Sequence, residues 1–266
     1  MNEVFSFGSY YPGDSPLHKC DARTKLTLGF VFLIVALMAQ GFAGLGVIAV
    51  FVAFLYMVSR IPFGKAMRSL APLMAIALIC ALLNLFVDQS GETLFKWGII
   101  EISTGSVHSC LFVGCRIILM MMGMSLITMT TTTLDLTAAV EQMLHPFARF
   151  GVPAHELGMI MGIALRFMPQ FATEFSSIRE AQLARGAGLK TSPVRGVQML
   201  SSLMTPLFTS VFRHAETLSA AMDARCYHGK EGRTRLHPLS FAPRDGVACA
   251  LVAVLLACVI AMNVLL

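Results

Sequence analysis

Apolar and polar positions in this chain are sorted into long blocks. Five runs dominate: Leu26 to Gln40, Leu45 to Val58, Leu70 to Val87, Val107 to Thr133, and Gly246 to Leu266. Only the fourth contains a charge, Arg116. A helix crossing a bilayer takes roughly 17 to 25 such residues, about 30 Å at 1.5 Å per residue. Lipid offers the backbone no hydrogen-bond partners, so each run is predicted to be a helix. The first two are short alone. Extended into Thr24, Lys25 and Ser59, and joined by the turn Gly41-Phe42-Ala43-Gly44, they make a helical hairpin with snorkelling ends. An external loop, 88–106, separates the third and fourth runs. It holds a short β-like stretch, Thr93 to Ile102, with Trp97 expected at the outer membrane interface.

A different pattern fills the stretch between Thr133 and Asp245. Leu157, Ile160, Met161, Ala164, Leu165 and Met168 recur at helical spacing, as do Val197, Leu200, Leu203, Met204, Leu207 and Val211. Arg and Glu residues fall between them. Long amphipathic helices are predicted, one stripe toward membrane or spans and the other toward the cytosol. Pro153, Pro169, Pro193 and Pro206 are expected to punctuate them. The predicted organisation has three parts: an N-terminal membrane part (1–133), a cytosolic coupling domain (134–245) and a final transmembrane helix (246–266). The fold class is an all-α integral membrane protein with about five spans.

Composition narrows the function. Of 266 residues, 56% are hydrophobic and only 13% charged, with a mean hydropathy of +0.73. Soluble domains carry about 25% charged residues. A typical soluble enzyme, a disordered chain and a secreted disulfide scaffold are thereby excluded. The seven cysteines read as structural thiols: Cys80, Cys249 and Cys258 sit in apolar runs, and Cys110 and Cys115 lack zinc-type spacing. No metal or cofactor site is expected. The net charge of +5 reads as positive-inside loops, with no nucleic-acid partner. Lys19, Arg23 and Lys25 precede the first run, and Arg60, Lys65 and Arg68 separate the second from the third. Placing only Lys96 and Arg116 outside leaves 18 of 20 basic residues in the cytosol, with the N-terminus in and the C-terminus out. No cleavable leader is expected before the first span. Arg116 leaves two readings open: the fourth span begins just after it, or its guanidinium lies in the membrane and finds a partner such as Asp88.

Two predicted helices end alike. One closes Ala181-Gln182-Leu183-Ala184-Arg185-Gly186, the other Ala221-Met222-Asp223-Ala224-Arg225-Cys226-Tyr227. Alanines three apart share a helix face and permit close approach. The arginine that follows brings a forked cation to a helix C-terminus, where the dipole favours it. Singly, either ending reads as a stop signal, with Gly186 as the left-handed cap. Two copies on one side of the membrane point to a partner with two equivalent grooves. Cysteine resists positive φ, so the second helix is expected to run on through Tyr227 and His228 and cap at Gly229.

With these endings, the chain resembles the transmembrane T component of energy-coupling factor transporters, the EcfT/CbiQ-like family. The opening Gly8-Ser9-Tyr10-Tyr11-Pro12-Gly13-Asp14-Ser15-Pro16-Leu17-His18-Lys19, then Asp21, Arg23, Thr24 and Lys25, is also similar to that family's start. Ala184-Arg185-Gly186 matches the family's Ala-Arg-Gly signature in full, whereas Ala224-Arg225-Cys226 departs at its last position. The resemblance implies a non-catalytic subunit in the cell membrane, docking through these six residues onto two ATP-binding-cassette ATPases. It also implies a membrane-embedded S component that binds the substrate, a vitamin or a metal ion. Met120, Met121, Met122, Met124, Met159, Met161, Met199 and Met204 are candidates for an adaptable surface toward it.

Two other classes compete. An intramembrane enzyme finds little support: His155-Glu156 lacks the second histidine of a zinc-protease helix, no G-x-S-x-G occurs, and no phosphate-binding G-x-x-x-x-G-K-[ST] is present. A stand-alone secondary transporter would show inverted repeats and ionisable residues at mid-membrane. Pro72 and Asn84 alone hint at a polar site in the third span.

Overall fold

A computed structural model describes residues 10–87, 93–97, 100–151, 153–186, 193–229 and 241–265. Its helices are α1 (Ala22–Met38), α2 (Phe42–Ser59), α3 (Phe63–Val87), α4 (Thr104–Thr130), α5 (Thr133–Leu144), α6 (Ala154–Ala184), α7 (Pro193–Ala224) and α8 (Pro243–Leu265). A short 3-10 helix, His145–Phe150, precedes α6. The strands β1 (Thr93–Trp97) and β2 (Ile100–Ser103) pair antiparallel, with Trp97 opposite Ile100. The β-like stretch in the loop is therefore a hairpin on an otherwise all-α framework. The side chain of Trp97, and Asp88 altogether, lie outside the described residues.

These residues divide into two compact units. One runs from Tyr10 to Met143 and resumes at Phe241, and the other runs from Leu144 to Gly229. The division falls between Met143 and Leu144, in the last turn of α5.

In the first unit, α2, α3, α4 and α8 are long and apolar enough to cross a membrane. α1 has 17 residues, the lower limit for a span. It packs against α4 and α8, and its own ends are tied to both. The last carbonyls of a helix have no partner within it, and in lipid they find none outside. Here Asn263 Nδ2 donates to Met38 O at 2.7 Å, and the guanidinium of Arg116 donates to Ala39 O. Arg116 also lies over the Phe112 ring, 4.5 Å from its centroid. α4 begins at Thr104, so Arg116 lies well inside the helix, and the partner its guanidinium finds is Ala39 O. The arginine sits inside α4 because a neighbouring helix end needs its donor. The start of α4 is set instead by Ser103, which accepts from Ser106 N and forms a reciprocal capping box.

The opposite end of the unit is closed by the polar opening. Tyr11 N donates to Met129 O at 2.9 Å. Buried Lys25 donates to Thr130 O at 3.0 Å, Thr131 Oγ1 at 3.3 Å and His18 O at 3.2 Å. His18 is held by Ser15 Oγ at 2.7 Å and by Tyr11 O at 2.9 Å. Buried Asp245, at the start of α8, accepts from Asp21 N at 2.9 Å and from Ala242 N at 2.8 Å. One short segment thus clasps α1, α4 and α8 together. Between them Gly29 and Gly123 let α1 and α4 approach closely: a Cβ on Gly123 would collide with the Phe32 ring. The core beyond contains Phe32, Val35, Ile48, Val52, Leu126 and Val259.

Candidate functional site: two arginine-capped helix ends

The second unit is built on α6 and α7. Contacts pair Met159 with Tyr227, Gln170 with His214, and Glu174 with Ser210 and His214. Later residues of α6 meet earlier residues of α7, so the helices run antiparallel. Pro153 and Pro193 stand at helix starts, as expected. Pro169 and Pro206 do not end the helices, which run through both. Each proline removes one backbone bond beside the place where the helices meet, and tertiary contacts there hold the chain helical.

Both helices terminate at the expected motifs. α6 ends at Ala184, with Arg185 as cap and Gly186 at φ 86°. Gly186 N donates to Leu183 O at 3.0 Å. α7 ends at Ala224. Cys226 N donates to Asp223 O at 2.9 Å and Tyr227 N to Met222 O at 3.1 Å, a full Schellman closure. Cys226 itself adopts φ 54°. The expectation that α7 runs on to Gly229 is therefore corrected: the closing hydrogen bonds hold a cysteine in the left-handed region. Arg185 and Arg225 consequently occupy equivalent cap positions. Ala181, Ala184, Arg185, Gly186, Ala221, Ala224, Arg225 and Cys226 are all exposed. Each end presents a small-residue face beside a cation that completes the helix dipole.

The two ends are far apart. Tyr227 Oη lies 2.8 Å from Met159 Sδ. Arg185 follows Met159 by 26 residues of α6, roughly 39 Å at 1.5 Å per residue.

Some features escaped the sequence reading. Gln170 and Glu174 on α6, and Ser210 and His214 on α7, form a polar cluster where the helices meet. Glu174 accepts from Ser210 Oγ, and His214 Nε2 lies 3.6 Å from Glu174 Oε2, flanked by the rings of Phe167 and Phe171. Matching i, i+4 polar pairs on two apolar stripes were the available signal. The methionine candidates divide. Met122 is buried in the core of the first unit and Met120 and Met121 pack against that core, while the side chain of Met199 lies outside the described residues. The stripe of α6 stays open, with Leu157, Ile160, Ala164 and Met168 exposed.

These observations define an integral membrane protein of helical spans, with a second helical unit whose two arginine-capped ends are exposed. The chain belongs to the CbiQ family, described as cobalt transport protein, whose profile matches residues 13–236, and so is a transmembrane transport component of the EcfT/CbiQ type. It is 38% identical to the energy-coupling factor transporter transmembrane protein EcfT of Clostridium kluyveri, over 96% of each chain. It is 36% identical to that of Brevibacillus brevis, over 98% of each. With that of Bacillus subtilis it shares 34%, over 92% of this chain and 93% of the relative.

Proposed function

We propose that this chain is the coupling subunit of an energy-coupling factor importer. Ala184-Arg185-Gly186 and Ala224-Arg225-Cys226 dock on two ATP-binding-cassette ATPases and pass their motion to a substrate-binding S component. The observation that carries this reading is the equivalence of the two helix ends: same cap position, same exposed alanine face, opposite ends of one antiparallel pair. A partner with two like grooves, such as an ATPase dimer, fits that arrangement. When the ATPases close, α6 and α7 shift relative to one another. The exposed apolar stripe of α6 supplies the surface toward the S component. The chain itself catalyses nothing, and its N-terminus lies in the cytosol of a cell membrane. A vitamin is the proposed cargo rather than cobalt or nickel, on the likeness of the opening segment to shared-type T components.

Docking is tested by the double variant Arg185→Ala, Arg225→Ala. Both side chains are exposed, so the protein inserts and folds. It is expected to lose co-purification with its ATPases and to lose uptake; a docked arginine is worth about 2 kcal/mol or more. Full uptake by the double variant refutes the docking role.

A further inference from the structure

The structure also carries a groove in the membrane unit that the coupling role does not use. It is about 640 Å³, open on one side, and lined by Val52, Tyr56, Met57, Phe63, Leu119 and Met122 among others. Its walls are almost wholly apolar, and Tyr56, whose hydroxyl donates to Met122 O at 3.1 Å, fixes α2 against α4 behind it. Arg60 also lines it, exposed and held at φ 55° with its N–H on Met57 O at 3.3 Å. A non-glycine residue in the left-handed region persists only where its surroundings impose it. Here Ser59 Oγ accepts from Ile61 N at 3.4 Å and Ile61 is buried, so the turn is fixed from both sides. Lys65 and Arg68 follow on the first turns of α3. Among the described residues, neither Arg60 nor Arg68 has an acidic partner. An apolar trough lined by an arginine without an acidic partner among the described residues, at the end of a span, matches one ligand class, an amphiphile with an anionic head.

We propose that this groove binds an anionic phospholipid, with an acyl chain along α2 and α4 and the phosphate on Arg60. Lys65 and Arg68 deepen the positive potential that draws the headgroup in. A neutral phospholipid gains the same apolar contact and none of the charge, so the site selects by headgroup.

The test uses the full chain in vesicles. Trp97 is the only tryptophan, so Trp97→Phe with Phe63→Trp places one fluorophore in the groove wall. Quenching by phosphatidylglycerol brominated in its acyl chains is compared with quenching by brominated phosphatidylcholine at equal mole fraction. Preferential quenching by phosphatidylglycerol is expected, falling by roughly fivefold in relative affinity for each charge removed in Arg60→Gln, Arg68→Gln. Ala53→Phe, which fills the groove, is expected to abolish the preference with both arginines intact. Equal quenching by the two lipids overturns the proposal, as does a preference that survives the arginine changes. Loss of the preference in millimolar inorganic phosphate at constant ionic strength overturns it too, because the site would then recognise phosphate without lipid.

Discussion

Cys226 holds a side chain in a backbone region that glycine enters freely. For an L-residue the left-handed conformation costs about 1 kcal/mol or more. Cys226→Gly is therefore expected to stabilise the end of α7 by up to about 1 kcal/mol, read as a rise in the unfolding temperature of purified protein. Gly186→Ala, at φ 86°, is expected to move it the other way. A fall for Cys226→Gly would show that the cysteine makes a compensating contact. On the proposed docking, the same residue is also a reporter. Cys226 is exposed, whereas burial pushes the Cys20 thiol up and Asp245 adds to the shift. In a chain keeping only these two cysteines, a maleimide is expected to mark Cys226 first at neutral pH. Assembly with the ATPases is expected to protect it. Unchanged labelling in the intact complex would place the ATPase contact elsewhere.

Among the elements, α4 depends most plainly on side chains distant in sequence. Its final carbonyls, Met129 O and Thr130 O, are met by Tyr11 N and by Lys25. Lys25→Met keeps the length and apolar stem but strands three acceptors. Hydrogen bonds from charged donors contribute about 1.5–3 kcal/mol each at most, so a marked drop in thermal stability is expected. Lys25→Arg, which keeps a charged donor, is expected to recover part of it. An unchanged unfolding temperature for Lys25→Met would mean that water reaches Thr130 O. This clasp also marks the limit of what the sequence discloses. Spans are legible because lipid demands long uncharged runs, and four of the five runs coincide with helices that meet the length and polarity of a span. The two helix ends were legible because alanine spacing, and at Gly186 a following glycine, are local signals. Arg116 and the prolines were not. Arg116 sits in α4 to serve the carbonyl of Ala39, the cap of α1, and Pro169 and Pro206 stay helical because α6 and α7 hold each other there. Cys226 was misread for the same reason, since its φ is set by bonds to Met222 and Asp223 rather than by its own preference.

At the scale of the whole molecule, the proposed coupling role requires that the two arginine ends move relative to one another. The contact between Tyr227 and Met159 joins the end of α7 to the start of α6, so a tether there ties the Arg225 end to α6 while leaving both arginines exposed. In a background free of native cysteines, Met159→Cys with Tyr227→Cys is bridged by a short bifunctional methanethiosulfonate linker, which spans more than a disulfide's narrow Cα separation. The linked complex is expected to retain its ATPases, because Arg185 and Arg225 are untouched, and to lose uptake. Reductant is expected to restore uptake in the same sample, which separates restraint of motion from damage by the substitutions. A tether at Glu174 and Ser210, where the helices already hold one another through a part-buried polar contact, restrains less and is expected to inhibit less. Uptake that continues unchanged with α7 tied to α6 would mean that force passes through the two ends without relative movement. The subunit would then act as a rigid platform, and the energy of ATP hydrolysis would reach the S component by displacement of the second unit as one body.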